Sequence, residues 1–213
     1  MKRILPCLFL ALVLAAPAIA DDKVTVRTLH GSWSTGTQRI HLEMEPASVT
    51  IEPSRDGKLS AEIDVRCDRW RRGCEERAEQ MEIEAGSEGN AFRLGVTKMS
   101  KSMNRGMSLR AHIYVPRGAA MTIDMGVGEL KVNGIENHLD IDVGVGEVSV
   151  RLERRTVRSV HVDVGVGEGR IAVAGNDVDS HGWLGKSVDW GRGSGRSNVT
   201  VHLGVGEARV KLD

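Results

Sequence analysis

A fourteen-residue segment containing Gly-Val-Gly-Glu occurs four times in the chain, and this repeat constrains the fold more than any other feature of the sequence. The copies begin at Met121, Leu139, Val160 and Val199. Recurrence of this kind is typical of proteins in which each copy forms one structural unit and stacks on its neighbours. The repeat therefore predicts an architecture, whereas it names no substrate.

Each copy alternates apolar and polar residues, which is the period of a β-strand with one buried face. After the motif the alternation resumes out of phase, so a straight strand cannot keep all the apolar residues inside. We therefore expect a bend or bulge at the motif glycines, which tolerate positive φ and close backbone approach. The predicted corners are Gly126, Gly128, Gly144, Gly146, Gly165, Gly167, Gly204 and Gly206. On the same interpretation the motif valines face the core: Val127, Val145, Val166 and Val205.

The spacing of the motifs relates these corners to a fold. Their first glycines lie 18, 21 and 39 residues apart, and the longest interval would hold a degenerate copy centred on Gly182. A turn of about 20 residues at roughly 3.3 Å each has a perimeter of about 66 Å, enough for two or three short strands around a thin core. The sequence thus predicts an all-β fold, a single-chain β-helix-like solenoid with rungs of about 20 residues. A stacked β-sandwich of meandering hairpins is the alternative.

Sequential stacking would leave the last copy, 199–212, at an open end of the solenoid. Trp183 and Trp190 are large apolar residues that need burial, so we expect the segment before the last copy to cover that end. An uncovered end that forms homo-oligomers is the alternative, and the sequence leaves the oligomeric state open.

Before the repeats the alternation is less regular, and no stretch has a helical period. Strand patterns separated by turn clusters cover 24–29, 40–44, 49–51, 59–65 and 109–115. We expect residues 21–213 to form one all-β domain, with an irregular half at 21–107 and the repeat half at 108–213.

Residues 1–20 have the pattern of a secretory signal peptide. Lys2 and Arg3 precede an apolar run, and Ala18-Ile-Ala20 supplies small residues for cleavage. The run is too short to span a membrane, and no later apolar segment is long enough. The sequence therefore predicts an exported protein that does not span the membrane.

Cleavage would remove Cys7 and leave Cys67 and Cys74 as a pair in an oxidising compartment. We expect these two cysteines to form a disulfide that closes a hairpin tip. A redox or zinc site is the alternative, and it is weakly supported because no cluster of His or Cys accompanies the pair in the sequence.

The charge balance gives no reason to expect nucleic-acid binding. The chain has 29 basic and 29 acidic residues, and loss of Lys2 and Arg3 would make the mature chain slightly acidic. Four arginines near Trp70 could contact an anionic glycan or lipid head group: Arg66, Arg69, Arg71 and Arg72. Acidic neighbours favour a solvated tip instead: Asp68, Glu75 and Glu76.

The last motif residue forms a repeated acidic position, predicted as a surface ladder of Glu129, Glu147, Glu168 and Glu207. Neighbouring carboxylates in such a stack repel each other by roughly 1 kcal/mol in water. Lys131, Arg170 and Arg209 lie two residues later and would offset this repulsion, whereas Ser149 takes that place in the second copy. A row of calcium sites is the alternative, disfavoured because calcium-binding β-roll repeats are nonapeptides with more Gly and Asp per turn.

We expect no catalytic residues, no metal and no cofactor. The sequence has no His-Glu-x-x-His, Gly-x-Ser-x-Gly or phosphate-loop motif, and its acids are repeated rather than concentrated at one place. Met99, Met103 and Met107 with His112 would suit copper(I), but the Lys and Asn residues among them favour a flexible loop.

Three features of the repeat half occur together in one known family. A strand ends at Val115-Pro-Arg-Gly118, the next strand enters the first Gly-Val-Gly-Glu, and Gly182-Trp-Leu-Gly-Lys-Ser-Val-Asp-Trp190 precedes the last copy. In these features the segment 108–213 resembles the bacterial putative-adhesin family of exported β-strand-repeat proteins. The resemblance implies a β-helix-like fold and a location in the envelope of a Gram-negative bacterium, periplasmic or at the cell surface. It brings no catalytic or binding residues.

These features favour an exported, non-enzymatic scaffold or adhesin-like binding protein, whose partner is an envelope or cell-surface ligand, glycan or protein. A carbohydrate-active enzyme is the rival hypothesis, because parallel β-helices also host polysaccharide lyases with surface acids and bases. An accessory to envelope-stress signalling is the third.

Overall fold

The structure is a computed structural model that describes residues 23–36, 39–97, 106–174, 176–179 and 184–213. Its strands are β1 (Lys23–Trp33), β2 (Arg39–Met44), β3 (Ala47–Pro53), β4 (Leu59–Asp68), β5 (Ile83–Glu88), β6 (Ala91–Val96), β7 (Met107–Val115), β8 (Met121–Asn133), β9 (Leu139–Leu152), β10 (Val157–Val173), β11 (Asn176–Asp179), β12 (Leu184–Trp190) and β13 (Ser197–Leu212). A five-residue helix, α1 (Cys74–Ala78), and a 3-10 turn (Arg154–Thr156) are also present. The predicted all-β class is confirmed. The predicted signal peptide lies outside the described residues.

The strands form one open, mixed sheet in the order β1-β4-β7-β3-β8-β9-β13-β10-β11. Away from this path, β12 pairs with β10, β2 pairs with β8 and β6, and β6 pairs with β5. Apolar side chains from both halves of the chain join one buried cluster, which includes Ile40, Ile63, Ile113, Ile141 and Val201. Within the described residues, no helix is long and apolar enough to cross a membrane.

The four repeat copies are β8, β9, β13 and β10, and they run parallel in the same register. Glu147 pairs with Glu129 on one side and with Glu207 on the other, and Glu207 pairs in turn with Glu168. Each copy buries apolar residues before and after its motif, and in β9 these are Leu139, Ile141, Val143, Val148, Val150 and Leu152. In β9 burial therefore changes from odd-numbered to even-numbered positions across the glycines, and in β10 it changes from even-numbered to odd-numbered positions.

The expected direction of the motif valines was wrong. Val127, Val145, Val166 and Val205 are 53, 46, 45 and 45% exposed, so they point outward. The phase change gives the reason. Val143 and Val148 both face inward but lie five positions apart, so two consecutive residues between them must face the same way. Gly144 and Val145 are both exposed, which places the break before the valine rather than after it.

The expected order of the copies was also wrong, because the last copy does not lie at an end. β13 pairs with β9 on one edge and with β10 on the other. The reason is the fold of the segment before it: β11 and β12 pair antiparallel with β10 and occupy its other edge. The predicted degenerate parallel copy is therefore absent over 184–190, whereas Gly182 itself and Trp183 lie outside the described residues. Trp190 is partly buried against the core.

Residues 40–51 occupy the position of a further repeat copy, which the sequence pattern did not predict. Ile40–Met44 pairs with Met121–Met125, and Ala47–Ile51 pairs with Gly128–Val132, so β2 and β3 follow the two halves of β8 in register. Glu45-Pro-Ala-Ser48 takes the place of Gly-Val-Gly-Glu. Residues 40–51 share the alternation of apolar residues with the repeat copies but lack the Gly-Val-Gly-Glu motif, so the motif could not identify them.

Candidate functional site

The glycines of the repeat allow neighbouring strands to approach at the bend. The second motif glycines, Gly128, Gly146, Gly167 and Gly206, have φ of 151, 150, 135 and 142°, a region that favours glycine. A Cβ on Gly146 would lie 1.8 Å from the carbonyl oxygen of Gly128, and one on Gly144 would lie 2.6 Å from that of Gly126. The bend therefore has backbone rather than side chains on both sides of Val145.

The motif valines form an exposed row that we call the valine ridge: Val127, Val145, Val205 and Val166, in spatial order. Val145 pairs with Val127 and Val205, and Val205 pairs with Val166. Because neighbouring strands lie about 4.8 Å apart, the ridge is roughly 14 Å long. Every member is about half exposed, so the ridge is a continuous apolar feature of the outer surface.

One side of the ridge carries the predicted acidic ladder, here called the glutamate row, in the order Glu129, Glu147, Glu207 and Glu168. Two of its members pair with the cation two residues further along: Lys131 Nζ lies 2.5 Å from Glu129 Oε1, and Arg209 Nη2 lies 2.5 Å from Glu207 Oε1. These contacts are half-exposed and each contributes little to stability. Their effect is to neutralise the carboxylates on either side of Glu147.

Glu147 itself differs from its neighbours. Its own strand has Ser149 where the adjacent strands have Lys131 and Arg209, and it makes no ion pair within the described part of the chain. The short serine leaves a notch of about 200 Å³ between the two long cations. The notch therefore has an unpaired carboxylate at its side and room for a small polar group.

The other side of the ridge carries the aspartate row, which is Asp124, Asp142, His202 and Asp163 in spatial order. Histidine side chains lie beside these carboxylates: His41 Nε2 is 2.5 Å from Asp124 Oδ2, and His202 Nδ1 is 3.8 Å from Asp163 Oδ2. Both rows together surround the ridge with acidic groups.

Neither row is arranged to chelate an ion. Among the described residues, no group of three or more His, Cys, Asp or Glu could hold a metal. Met99 and Met103 of the copper alternative lie outside the described residues. The outer face of the bend is therefore a periodic surface without a preformed metal centre in the described part of the chain.

A cleft of about 630 Å³ lies away from the repeats between β2, β5 and β6. Its central polar group is Arg93, which lies 2.8 Å from Glu43 and 2.9 Å from Glu88. The hydrogen bond to Glu88 and then that to Glu43 raise the pKa of Arg93 above its usual value. The cleft therefore contains an arginine held between two carboxylates in ion pairs.

The predicted disulfide joins Cys67 and Cys74, whose Cα atoms are 5.9 Å apart. The expected hairpin is absent there, because β4 is followed by α1 and the next strand, β5, pairs with β6 instead of β4. Trp70 within the loop is 87% exposed. Of the nearby arginines, Arg66 donates to the Lys23 carbonyl oxygen at 2.8 Å, while Arg69, Arg71 and Arg72 are exposed. The loop between β4 and α1 is thus solvent-facing, as the solvated interpretation of the sequence expected.

The fold and the outer face of the bend define an all-β repeat protein that presents the same residues from four parallel strands. The chain belongs to the family described as the N-terminal domain of toast_rack, DUF2154, whose sequence model matches residues 21–172. No curated protein sequence matches the chain.

One solved structure shares the fold, and a second is similar at a lower score. A "putative cell adhesion protein" from Clostridium sporogenes is 15% identical with a TM-score of 0.51, over 88% of this chain and all of that one (100%). A "putative adhesin" from Bacteroides fragilis is 11% identical with a TM-score of 0.27, over 86% of this chain and 97% of that one. The resemblance to the adhesin-like repeat family that the sequence predicted is confirmed.

Proposed function

We propose that the protein is an exported, non-enzymatic binding protein of the bacterial envelope, adhesin-like in action and built as a β-helix-like solenoid. The observation that carries the proposal is the outer face of the bend, where four in-register strands repeat one apolar and two acidic positions. A surface that repeats along its length suits contact with an extended or repeated partner. A catalytic centre instead needs different groups concentrated at one point.

Three further observations support this proposal. The fold matches that of a protein described as a putative cell adhesion protein. The signal-peptide pattern of residues 1–20 favours export, to the periplasm or the cell surface. The stacking of β2 and β3 on β8 in the repeat register extends the repeated unit by one level, as a solenoid requires.

The test is binding of the fluorescently labelled mature chain to an envelope fraction from a Gram-negative bacterium. We expect saturable binding that unlabelled protein displaces, with heat-unfolded protein as the control. Absence of saturable binding to both the envelope fraction and intact cells would contradict an adhesin-like role.

The same preparation tests the carbohydrate-active rival. We expect no release of new reducing ends from envelope or plant polysaccharides. Release that Glu147→Gln or Glu168→Gln abolishes would establish an enzyme and reject our proposal. If the protein were an accessory to envelope-stress signalling, deletion of its gene would alter a transcriptional response while adherence stays unchanged.

A further inference from the structure

The valine ridge is exposed in a way that backbone preference alone does not explain. A β-branched residue suits a strand position between two glycines, but threonine would satisfy that preference and would be better solvated. All four copies nevertheless have valine, and Pro46 holds the corresponding position between β2 and β3. An unbroken row of exposed apolar side chains indicates a surface that contacts another molecule.

The ridge also stands clear of its surroundings. Gly144 and Gly146 flank Val145 and have no side chains, and each of the other three valines has the same pair of neighbours. Along each strand the first polar side chains on either side belong to the glutamate and aspartate rows. At the two ends of the ridge, Glu45 lies against Gly126, and Lys186 Nζ donates to the Gly167 carbonyl oxygen at 2.8 Å. A partner would therefore contact apolar groups along the centre and charged groups along both margins.

The charge of the residues that flank the ridge indicates which kind of partner is favoured. Three Asp and four Glu make up seven of the eight flanking positions, and His202 is the eighth. Lys131 and Arg209 neutralise Glu129 and Glu207, but the other carboxylates would repel an anionic membrane and the ridge of a second copy of the chain. A basic partner is favoured, because its cations would meet acidic groups on both sides of the apolar contact.

Glu147 offers one specific position at which a cation of the partner could bind. Its neighbours Glu129 and Glu207 already pair with Lys131 and Arg209, whereas Glu147 faces the notch of about 200 Å³ above Ser149. That space would admit a single ammonium or guanidinium group. A partner cation in the notch would complete the pattern of ion pairs that the neighbouring strands make internally.

We propose that the valine ridge is the docking surface for a basic amphipathic helix of another protein. Apolar side chains of the helix would lie on the ridge, and its Lys or Arg side chains would lie against the carboxylate rows, one of them at Glu147. A helix advances about 5.4 Å per turn, close to the 4.8 Å strand spacing, so its turns would keep step with three or four strands. This inference rests on the proposed function and names its partner class.

The probe is a labelled 18-residue helical peptide of Leu and Lys, with leucines on one face, titrated with the full chain in a fluorescence anisotropy assay. We expect saturable binding that weakens as salt is raised. A peptide with Glu in place of Lys, and a scrambled Leu/Lys peptide of the same composition, should not bind. Failure of the Leu/Lys peptide to bind, or equal binding of either control peptide, overturns the proposal.

The variants locate the contact. Val145→Thr combined with Val205→Thr should weaken binding by about tenfold, and Glu147→Gln by about threefold, because each removes part of a central contact. Tyr114→Ser is the control, since Tyr114 is an exposed aromatic on β7 (39%) that lies outside the ridge. Unchanged affinity of the double valine variant overturns the docking surface.

Two further measurements separate other occupants and the proposed function. Ridge-dependent binding to phosphatidylglycerol vesicles, or self-association that the double valine variant abolishes, would replace the peptide partner with a membrane or a second copy. If wild-type protein binds the envelope fraction and the double valine variant binds it equally, the ridge inference fails while the proposed function stands. If wild-type protein binds no envelope component, the proposed function fails, and the peptide titration still decides the chemistry of the ridge.

Discussion

Gly206 lies directly against Gly146 on the neighbouring strand, so closely that a Cβ on Gly206 would be 1.8 Å from the Gly146 carbonyl oxygen. Gly146 has the same relation to Gly128, and Gly167 has it to Gly206. The repeated motif is therefore a backbone-to-backbone contact that recurs from strand to strand. Its second glycine is required for two reasons: an added Cβ would clash with the neighbouring backbone, and φ at this position is positive.

Gly206→Ala should accordingly be among the most damaging single substitutions in the chain. Strained φ and the clash with a carbonyl oxygen on a central strand should destabilise the fold by about 3 kcal/mol or more. Gly86→Ala is the matched control, because Gly86 also lies within a strand but an added Cβ meets nothing within 4 Å. Urea unfolding of the two variants makes the comparison, and equal stabilities would refute the close-packing explanation.

The outward direction of the motif valines is testable with a matched pair on β9. Val143 is fully buried, whereas Val145, two residues later, is 46% exposed. Val143→Thr should destabilise by about 2 kcal/mol because it buries a hydroxyl, whereas Val145→Thr should change stability by less than about 0.5 kcal/mol. Thermal melts that rank the two variants in the opposite order would restore the inward assignment.

Local pattern was sufficient to predict the all-β class and the buried face before the motif, because these depend on residues close together in sequence. Alternation placed Leu139, Ile141 and Val143 on a buried face, where the structure has them. Extending the same alternation to Val145 gave the wrong direction. The residue at which inward and outward positions exchange depends on the backbone conformation of the glycines, and the alternation of side chains does not indicate it.

Strand order could not be predicted from the repeat for a different reason. Copies with the same apolar pattern can pair with one another in any order, so the sequence does not distinguish β10 from β13 as the neighbour of β9. The order depends on the antiparallel pairing of β12 with β10, which is a contact between segments distant in sequence. Likewise, Glu45-Pro-Ala-Ser48 follows the repeat register without the repeat motif, so only pairing with β8 reveals it.

The disulfide that links β4 to α1 should stabilise the native chain measurably. Cys67 and Cys74 have a sequence separation of 7, and closing such a loop reduces the entropy of the unfolded chain. Replacing both cysteines by alanine should cost about 2 to 3 kcal/mol and lower Tm by about 5 to 10 °C. Reductant should lower the Tm of the wild-type chain similarly and leave that of the double variant unchanged; a reductant effect on the variant would place the cause elsewhere.

Asp213 should make a small, pH-dependent contribution near the end of β13. Its hydrogen bond with Lys211, then that with Arg151, lowers the pKa of its carboxyl below the usual value. A lowered folded-state pKa means that this stabilisation is present above the unfolded-state pKa and is lost as the pH falls through the folded-state pKa. Asp213→Asn should therefore be slightly less stable than wild type at neutral pH and equally stable at strongly acidic pH. A stability difference that grows on acidification would contradict the assigned contacts.

The central position of β13 makes the last copy essential to the sheet. Removing residues 197–213 would expose the facing edges of β9 and β10, each of which pairs with β13 along most of its length. We expect the shortened chain to lose its cooperative thermal transition and to aggregate, because two long parallel edges and their apolar faces become unpaired at once. Circular dichroism melts and light scattering measure both effects.

Adding the missing strand back gives a test specific to its position. A synthetic peptide of residues 197–213 should insert between β9 and β10, restore a cooperative transition and suppress aggregation of the shortened chain. The control peptide has alanine in place of Gly204 and Gly206, whose added Cβ atoms would meet the carbonyl oxygens of Gly144 and Gly146 at 2.4 and 1.8 Å. If the shortened chain instead melts cooperatively as a monomer without any peptide, β13 lies at an end of the sheet rather than within it.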